Sequence, residues 1–546
     1  MQDENSIGSY LIKKISDLGV NHIFGVPGDY VLGFFKQLSQ SNLNLVNACD
    51  EQGAGFMADA YARMRGLGVV CVTYGVGGFK IINTTAQAFA EQSPVIVISG
   101  APGLKEREKF PLLHHQVRDI ETQKRMFEQI TVASTVLDNP ETASAEIDRV
   151  LSAALRYKLP VYIELPKDMV FATITRHKVE HKIKEATNLV ALNEALKESI
   201  EMINSAKNPV IITGVEIKRF GLEDQLLQFL KKANIPVAST ALSKGVLDER
   251  HPLYLGIYEG AMGSQEVREY VESSDCLILL GTLLTDIYLE IFVGQIYKGQ
   301  AIYVTNKRLS IKHHNYENVH MMDFLQGLNQ SEIMRKENKI TPHPPAPQVF
   351  CAIHGKKITV KRLFDCLDSF LIDGMVILAD VGDSLFGSVN LTLPKGTGFL
   401  SSSFYASLGF SVPGAVGVQM ADSNLRPLVL VGDGAFQMTG LELSTVLRYH
   451  LNPIVIVLNN QGYMTERVMI DGPFNDIQTW NYSELPKVIG GGKGFIIKTE
   501  DELERALQMA KENLVSFSIL DIQLDSKDKS ESLQRLADWF SKRTQQ

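Results

Sequence analysis

Short apolar runs rich in β-branched residues recur along this chain, at residues 69–73, 95–99, 209–213, 276–280, 428–431 and 454–458. Helix-like stretches separate them, and none alternates apolar with polar positions. A strand with one face in water alternates, whereas one covered on both faces does not. The expected fold is therefore α/β, with doubly wound, mostly parallel sheets sandwiched by helices. At 546 residues, and with roughly 100–200 residues per domain, about three such units are expected. The polar stretch 175–188 and the stiff PHPPAP segment at 342–347 break the pattern, since consecutive prolines favour an extended, solvated linker. Boundaries are accordingly expected at 1–175, 190–340 and 356–546. A terminal helix over 533–544 carries an apolar stripe of Leu536, Trp539 and Phe540.

Composition narrows the function classes. Residues are 45% hydrophobic and 21% charged, with a formal net charge of −8. That balance argues against a nucleic-acid scaffold or a membrane-surface binder. The N-terminal residues lack a signal-peptide pattern, and no apolar run approaches the ~20 residues that span a bilayer. A soluble, cytoplasmic protein is expected. The five cysteines lie far apart with no CxxC pair, and are expected to be mostly buried free thiols.

The chemistry concentrates near the C-terminus. Gly432-Asp433-Gly434 is followed, after one more strand, by Asn459-Asn460-Gln461-Gly462. A helix-like run at 440–450 lies between them. An acidic residue in a glycine turn and an amide beyond the next strand can meet at one divalent cation. Hard oxygen donors suit Mg²⁺, which usually keeps phosphate among its ligands. Asp433 and Asn460 are the expected side-chain ligands. The N–H groups of Gly434 and Ala435, opening a helix, can meet a diphosphate at its positive end. Glu466 then places a carboxylate at the mouth. In the first segment Glu51 precedes a helix of small residues (Gly53, Ala54, Gly55, Ala58, Ala60) that would let something flat pack closely. Asp29 follows Pro27-Gly28, and His114-His115 form an adjacent pair in a loop.

Taken together, Val26–Tyr30, Glu51, Leu113-His114-His115, the GDG…NN element and Gly462–Glu466 resemble the thiamine diphosphate (ThDP)-dependent 2-keto acid decarboxylases. That family includes pyruvate, indolepyruvate, phenylpyruvate and branched-chain 2-keto acid decarboxylases, and the resemblance covers essentially the whole chain. It implies an N-terminal pyrimidine-binding domain, a middle domain and a C-terminal diphosphate-binding domain. It implies active sites between subunits of a homodimer or homotetramer. By the same resemblance Gly462 is a third Mg²⁺ ligand through its carbonyl, and Glu51 activates the aminopyrimidine toward the ylide. Ala406 and Leu408 support a folded cofactor, and Asp383, Tyr463 and Met464 complete its surroundings. Asp29, His114, His115 and Glu466 handle protons as CO₂ leaves to give the enamine and then an aldehyde.

The substrate pocket implied by the resemblance comprises Leu385, Thr465, Met469 and Phe540. Leu385 and Thr465 are smaller than their counterparts in pyruvate-specific members. Each further buried CH₂ of substrate is worth up to ~0.8 kcal/mol, so a longer aliphatic, branched or aromatic 2-keto acid is expected over pyruvate. The alternatives are a pyruvate decarboxylase proper and a carboligase of the acetohydroxyacid synthase type, which lacks the His-His pair and the Glu466 equivalent. A non-catalytic relic would be expected to lose Glu51 or the metal ligands. A dinucleotide-dependent dehydrogenase is disfavoured, because no GxGxxG follows the first strand of any segment.

Overall fold

A computed structural model describes residues 5–176, 186–285, 299–337 and 340–544 of the chain. Three mostly parallel sheets follow one another, as the unalternated apolar runs require. The first is built from β1 (His22–Gly25), β2 (Asn44–Asn47), β3 (Gly68–Val72), β4 (Val95–Ala101), β5 (Ala133–Val136) and β6 (Val161–Pro166). Its order is β2-β1-β3-β4-β6-β5, and every pair is parallel. The second holds β7 (Pro209–Thr213), β8 (Val237–Ser239), β9 (Tyr254–Ile257), β10 (Cys276–Leu280) and β11 (Ala301–Val304). The short β12 (Leu309–Ile311) and β13 (His314–Tyr316) add an antiparallel edge.

The third sheet contains β14 (Met375–Ala379), β15 (Gly398–Ser401), β16 (Arg426–Gly432), β17 (Ile454–Asn459), β18 (Lys493–Ile497) and β19 (Ser518–Gln523). Its order is β15-β14-β16-β17-β19-β18, the same permutation as the first sheet. The two outer units thus repeat one topology, and equivalent loops occupy equivalent places.

The small-residue helix Glu51–Arg65, which follows β2, packs against Ser411–Ala421, its counterpart after β15. The latter is buried almost all round, as a helix apolar on every side must be. A Cβ on Gly417 would stand 2.2 Å from the Met57 carbonyl, so glycine is what permits this approach. The small residues therefore serve helix packing, correcting the expectation that they admit a flat ligand. Gly53 makes room for Glu442 in the same way, with a hypothetical Cβ 2.0 Å from its Oε1.

A buried ion triad strengthens this seam. Arg63 pairs with Asp59 and Glu91, each at 2.8 Å, and donates to the Ser401 carbonyl at 2.8 Å. Glu91 in turn accepts the N–H groups of Phe404 and Tyr405. The middle unit joins through Arg219 to the Gln92 carbonyl and through the buried Lys244–Glu249 pair, whose ammonium reaches the Leu391 carbonyl.

One local expectation changes. The helix expected from residue 440 begins at once after β16, as Asp433–Thr439, then passes through a 3₁₀ turn into Leu443–Arg448. The five thiols are all free and mostly buried, as expected: Cys71, Cys276 and Cys366 are buried, and Cys49 and Cys351 are exposed. No described helix is long and apolar enough to cross a membrane. Most of the polar stretch 175–188 and the side chain of Phe540 lie outside the described residues.

Candidate active site

In an open parallel sheet the loops diverge where strand order reverses, opening a crevice at the carboxyl ends of the strands. That reversal falls between β1 and β3 in the first sheet and between β14 and β16 in the third. The residues singled out by sequence gather at these two places.

At the first crevice Asp29 follows β1, and the Thr73–Gly75 turn follows β3. Asp29, His114 and His115 offer ligand atoms within 4.8 Å of one another. Asp29 Oδ2 lies 2.6 Å from His114 Nε2. The Tyr30 hydroxyl lies 2.9 Å from His114 Nδ1, and the two rings stack at 4.5 Å. Burial, with Asp29 nearby, raises the Tyr30 phenol to about 12, so it stays protonated. His115 Nδ1 stands 3.1 Å from the Tyr74 carbonyl. Its φ of 68° is uncommon for a side-chain-bearing residue and marks a position held by its surroundings. Gln123 fixes the opposing turn by accepting the Gly75 N–H at 2.7 Å.

Glu51 is the first residue of its helix, behind the Asp50 cap. Its Oε2 lies 2.9 Å from Lys80 Nζ, and the same ammonium binds Asp50. Glu442 reaches across from the third unit and accepts the Cys49 and Asp50 N–H groups. The end of the helix bearing Glu51 is thereby clamped from both units.

At the second crevice Asp433 opens its helix directly after β16 and is 1% exposed. Burial pushes its carboxyl up to about 6, against the opposing pull of backbone N–H groups from Gln461, Gly434 and Gly462. Those at Gly434 and Gln461 lie 2.9 and 2.6 Å away. Asn460 is buried, and its Oδ1 has no hydrogen-bond partner. An unsatisfied buried oxygen costs about 1–3 kcal/mol, which a cation would offset. Arg467 pins the turn between them, donating to the Asn460 and Gln461 carbonyls and to Asp476. A Cβ on Gly434 would come 2.4 Å from the Tyr463 ring, and Ala435 and Met464 are buried. Glu466, in the Met464–Met469 helix, is exposed.

Asp380, after β14, is fully buried, and burial raises its pKa. It accepts the Gly409 and Ser411 N–H groups and the Ser411 hydroxyl. The loop so held contains Leu408, half-buried on the core, and Ala406 at φ 59°. Left-handed backbone at alanine is strained, and the Glu91 and Asp380 anchors on either side impose it. Asp383 begins the next helix, and both its oxygens accept the Ser530 N–H, at 3.1 and 2.9 Å. Its carboxylate therefore ties down the start of the terminal helix. Leu385 is buried in the third unit's core, Thr465 Oγ1 is buried without a partner, and Met469 is exposed.

Sequence reasoning missed Lys80, Arg467, Asp380 and Glu442. The partners of Lys80, Asp380 and Glu442 lie far off in the chain, Arg467 holds a turn close by, and no local motif announces any of them. The two crevices remain separate groupings: the hydrogen bonds of Asp29, His114, His115 and Glu51 are made in the first unit, and those of Asp433 in the third.

Models of the thiamine pyrophosphate enzyme N-terminal TPP binding domain, central domain and C-terminal TPP binding domain match residues 5–129, 196–324 and 380–522. The chain is 34% identical to an indole-3-pyruvate decarboxylase of Azospirillum brasilense, over 96% of each protein. It is 33% identical to an alpha-keto-acid decarboxylase of Mycobacterium bovis, over 92% of each. It is also 30% identical to pyruvate decarboxylase 4 of Arabidopsis thaliana, over 97% of this chain and 90% of that one.

Proposed function

Since the chain belongs to the thiamine diphosphate-dependent 2-keto acid decarboxylases, and is by that membership a carboxy-lyase, we propose that it converts a 2-keto acid larger than pyruvate into an aldehyde and CO₂. The observation that carries the reaction is the meeting of Asp29, His114 and His115 within 4.8 Å at the first crevice. Such a cluster can give and take protons as a carboxylate departs and an aldehyde is released.

When bound, thiamine diphosphate supplies the electron sink for the departing carboxylate. Mg²⁺ would be held by Asp433, Asn460 and the Gly462 carbonyl, and the unpartnered Asn460 Oδ1 supports that assignment. The N–H groups of Gly434 and Ala435 would meet the diphosphate. Tyr463 and Met464 would flank it, and the clamped Ala406–Leu408 loop would brace the rings. Asp383, which opens the helix after β14, is proposed as part of this set. Glu51 would share a proton with the pyrimidine, while Asp29, His114, His115 and Glu466 divide the proton transfers at substrate.

The complete site is proposed to form between two chains, in a homodimer or homotetramer. Exposed apolar side chains beside each crevice support this: Val76, Leu112 and Val117 near the histidines, and Met469, Ile470 and Phe474 beyond Glu466. Apolar rims of that kind mark surfaces that another surface covers. For the substrate, Leu385, Thr465 and Met469 are proposed to leave room for a branched, long aliphatic or aromatic side chain, with Phe540 of the terminal helix at the entrance.

CO₂ release from pyruvate, 2-ketoisovalerate, phenylpyruvate and indolepyruvate, with and without ThDP and Mg²⁺, tests both levels. Activity is expected to require ThDP, and Asp29→Asn to lower kcat about 10²–10⁴-fold. Turnover without ThDP would refute the reaction, and a kcat/KM highest for pyruvate would refute the substrate class alone.

A further inference from the structure

The middle unit has no part in the chemistry above, yet it contains a cleft of about 470 Å³. The cleft opens at the amino ends of β7, β8 and β9, bordered by Pro209, Pro236 and Leu253. Its size falls in the range of roughly 300–1,000 Å³ typical of small-molecule sites.

Among the described residues the lining is cationic: Lys207, Lys231, Arg335 and Lys336 outnumber Glu337 and the nearby Asp275, whose carboxylate accepts the Lys207 and Asn208 N–H groups. Arg335 donates to the Lys231 carbonyl at 2.6 Å. Lys336 donates to the Asn204 and Ala206 carbonyls at 3.1 and 2.8 Å. These contacts cap the ends of the Leu189–Ser205 and Glu223–Ala233 helices, which accounts for two of the cations. A carbonyl takes up hydrogen bonds without cancelling the charge. Lys231 stands exposed in the last turn of the Glu223–Ala233 helix, and its ammonium makes no hydrogen bond or ion pair among the described residues.

Two neighbours point to a ligand. His251 Nδ1 accepts the Leu253 N–H at 3.2 Å, so the neutral ring carries its proton on Nε2 as a further donor. Burial and then the charge of Lys231 lower its pKa, against the opposing charge of Asp248. The Tyr270 hydroxyl is buried at the lining without a partner. Like charges held together repel, and a dianion relieves that repulsion better than a monocarboxylate does. A phosphomonoester carries about −1.5 to −2 charges near neutrality with three acceptor oxygens, and the volume leaves room for an organic body beside it.

We propose that this cleft binds an organic phosphomonoester of sugar-phosphate or nucleoside-monophosphate size, separately from the decarboxylase site. The test is isothermal titration calorimetry of the holoenzyme at fixed ionic strength with ribose 5-phosphate, AMP and inorganic phosphate. Saturable binding of at least one ester is expected, tighter than that of inorganic phosphate. Lys231→Glu should weaken it by at least about tenfold, and Tyr270→Phe by a smaller factor. CO₂ release by both variants, expected to match the parent, reports that they fold. Absence of saturable binding by either ester, inorganic phosphate binding as tightly as both, or undiminished affinity in Lys231→Glu would overturn the proposal.

Discussion

Asn460 and Asp433 sit side by side, yet one has an oxygen without a partner and the other is satisfied by backbone N–H groups. Removing the Asn460 amide therefore breaks no protein bond through Oδ1 and lifts its desolvation cost. Asn460→Ala is expected to leave the unfolding free energy of the cofactor-free protein no lower than the parent's, with a gain of up to about 1–3 kcal/mol, the usual scale of such costs. The stabilisation given by ThDP with Mg²⁺ should be largely lost, as thermal shift with and without both will read. Ala406 offers the opposite case, a strained residue at φ 59°. Ala406→Gly should raise the Tm by relieving about 1 kcal/mol of left-handed backbone strain, while weakening ThDP retention because the loop loses its imposed shape. Asp433 and Asn460 stand out in sequence because a short glycine-bracketed motif carries them, and both are buried at the same turn. Arg467 and Asp380 do not, since what they hold becomes apparent only when a loop folds back onto a carboxylate or guanidinium. Thr465 was read as pocket; its hydroxyl is buried without a partner, which sequence alone could not show.

At the scale of elements, the seam between Glu51–Arg65 and Ser411–Ala421 depends on glycine more than on apolar area. Gly417→Ala would force a methyl to 2.2 Å from the Met57 carbonyl, and a helix backbone cannot rotate out of the way. A loss of about 1–3 kcal/mol is expected, measured by urea unfolding and accompanied by weaker cofactor retention, because the seam positions both Glu51 and the Ala406–Leu408 loop. A second junction is electrostatic. Glu500 opens the helix Glu500–Glu512 with its side chain fully buried. Arg362 donates to it at 2.9 and 2.6 Å, and the Ile353 N–H adds a third bond. Arg362 chiefly, aided by that N–H against the pull of desolvation, lowers its pKa to about 2. A depressed carboxyl stabilises the fold above its unfolded pKa, and that contribution disappears as pH falls from about 4.3 to about 2. Glu500→Gln should flatten this acid limb and cost about 1.5–3 kcal/mol at pH 7, followed by denaturation across pH. Most central strands were legible because they are uniformly apolar, whereas β6, inside the first sheet, was not singled out, its run being interrupted by the buried Glu164. β15 and β18 were not singled out: β15 is four residues, Gly-Phe-Leu-Ser, and β18 carries an exposed Lys493 and Gly494, so neither has the unbroken apolar run that betrays a central strand.

At the scale of the whole molecule, the shared strand permutation places equivalent crevices on the first and third units. Within one chain these units meet through the helices that follow β2 and β15. The Asp29–His114 pair at one crevice and the buried Asp433 at the other make their hydrogen bonds on their own sides. If one chain's first crevice closes on the third-unit crevice of another, a variant defective in one half can be rescued by a variant defective in the other. Glu51→Gln and Asp433→Ala are each expected to be nearly inactive alone. In a mixed dimer, one site combines both lesions and the other combines neither. Random reassortment after reversible dissociation of equal amounts makes half the dimers mixed, each with one intact site, so about one quarter of parent activity is expected. A site built within a single chain would give no rescue at any mixing ratio, because every chain carries a lesion. Recovery should also require subunit exchange: mixing without dissociation should leave the activity near zero, and its return should follow the time course of heterodimer formation measured with differently tagged chains.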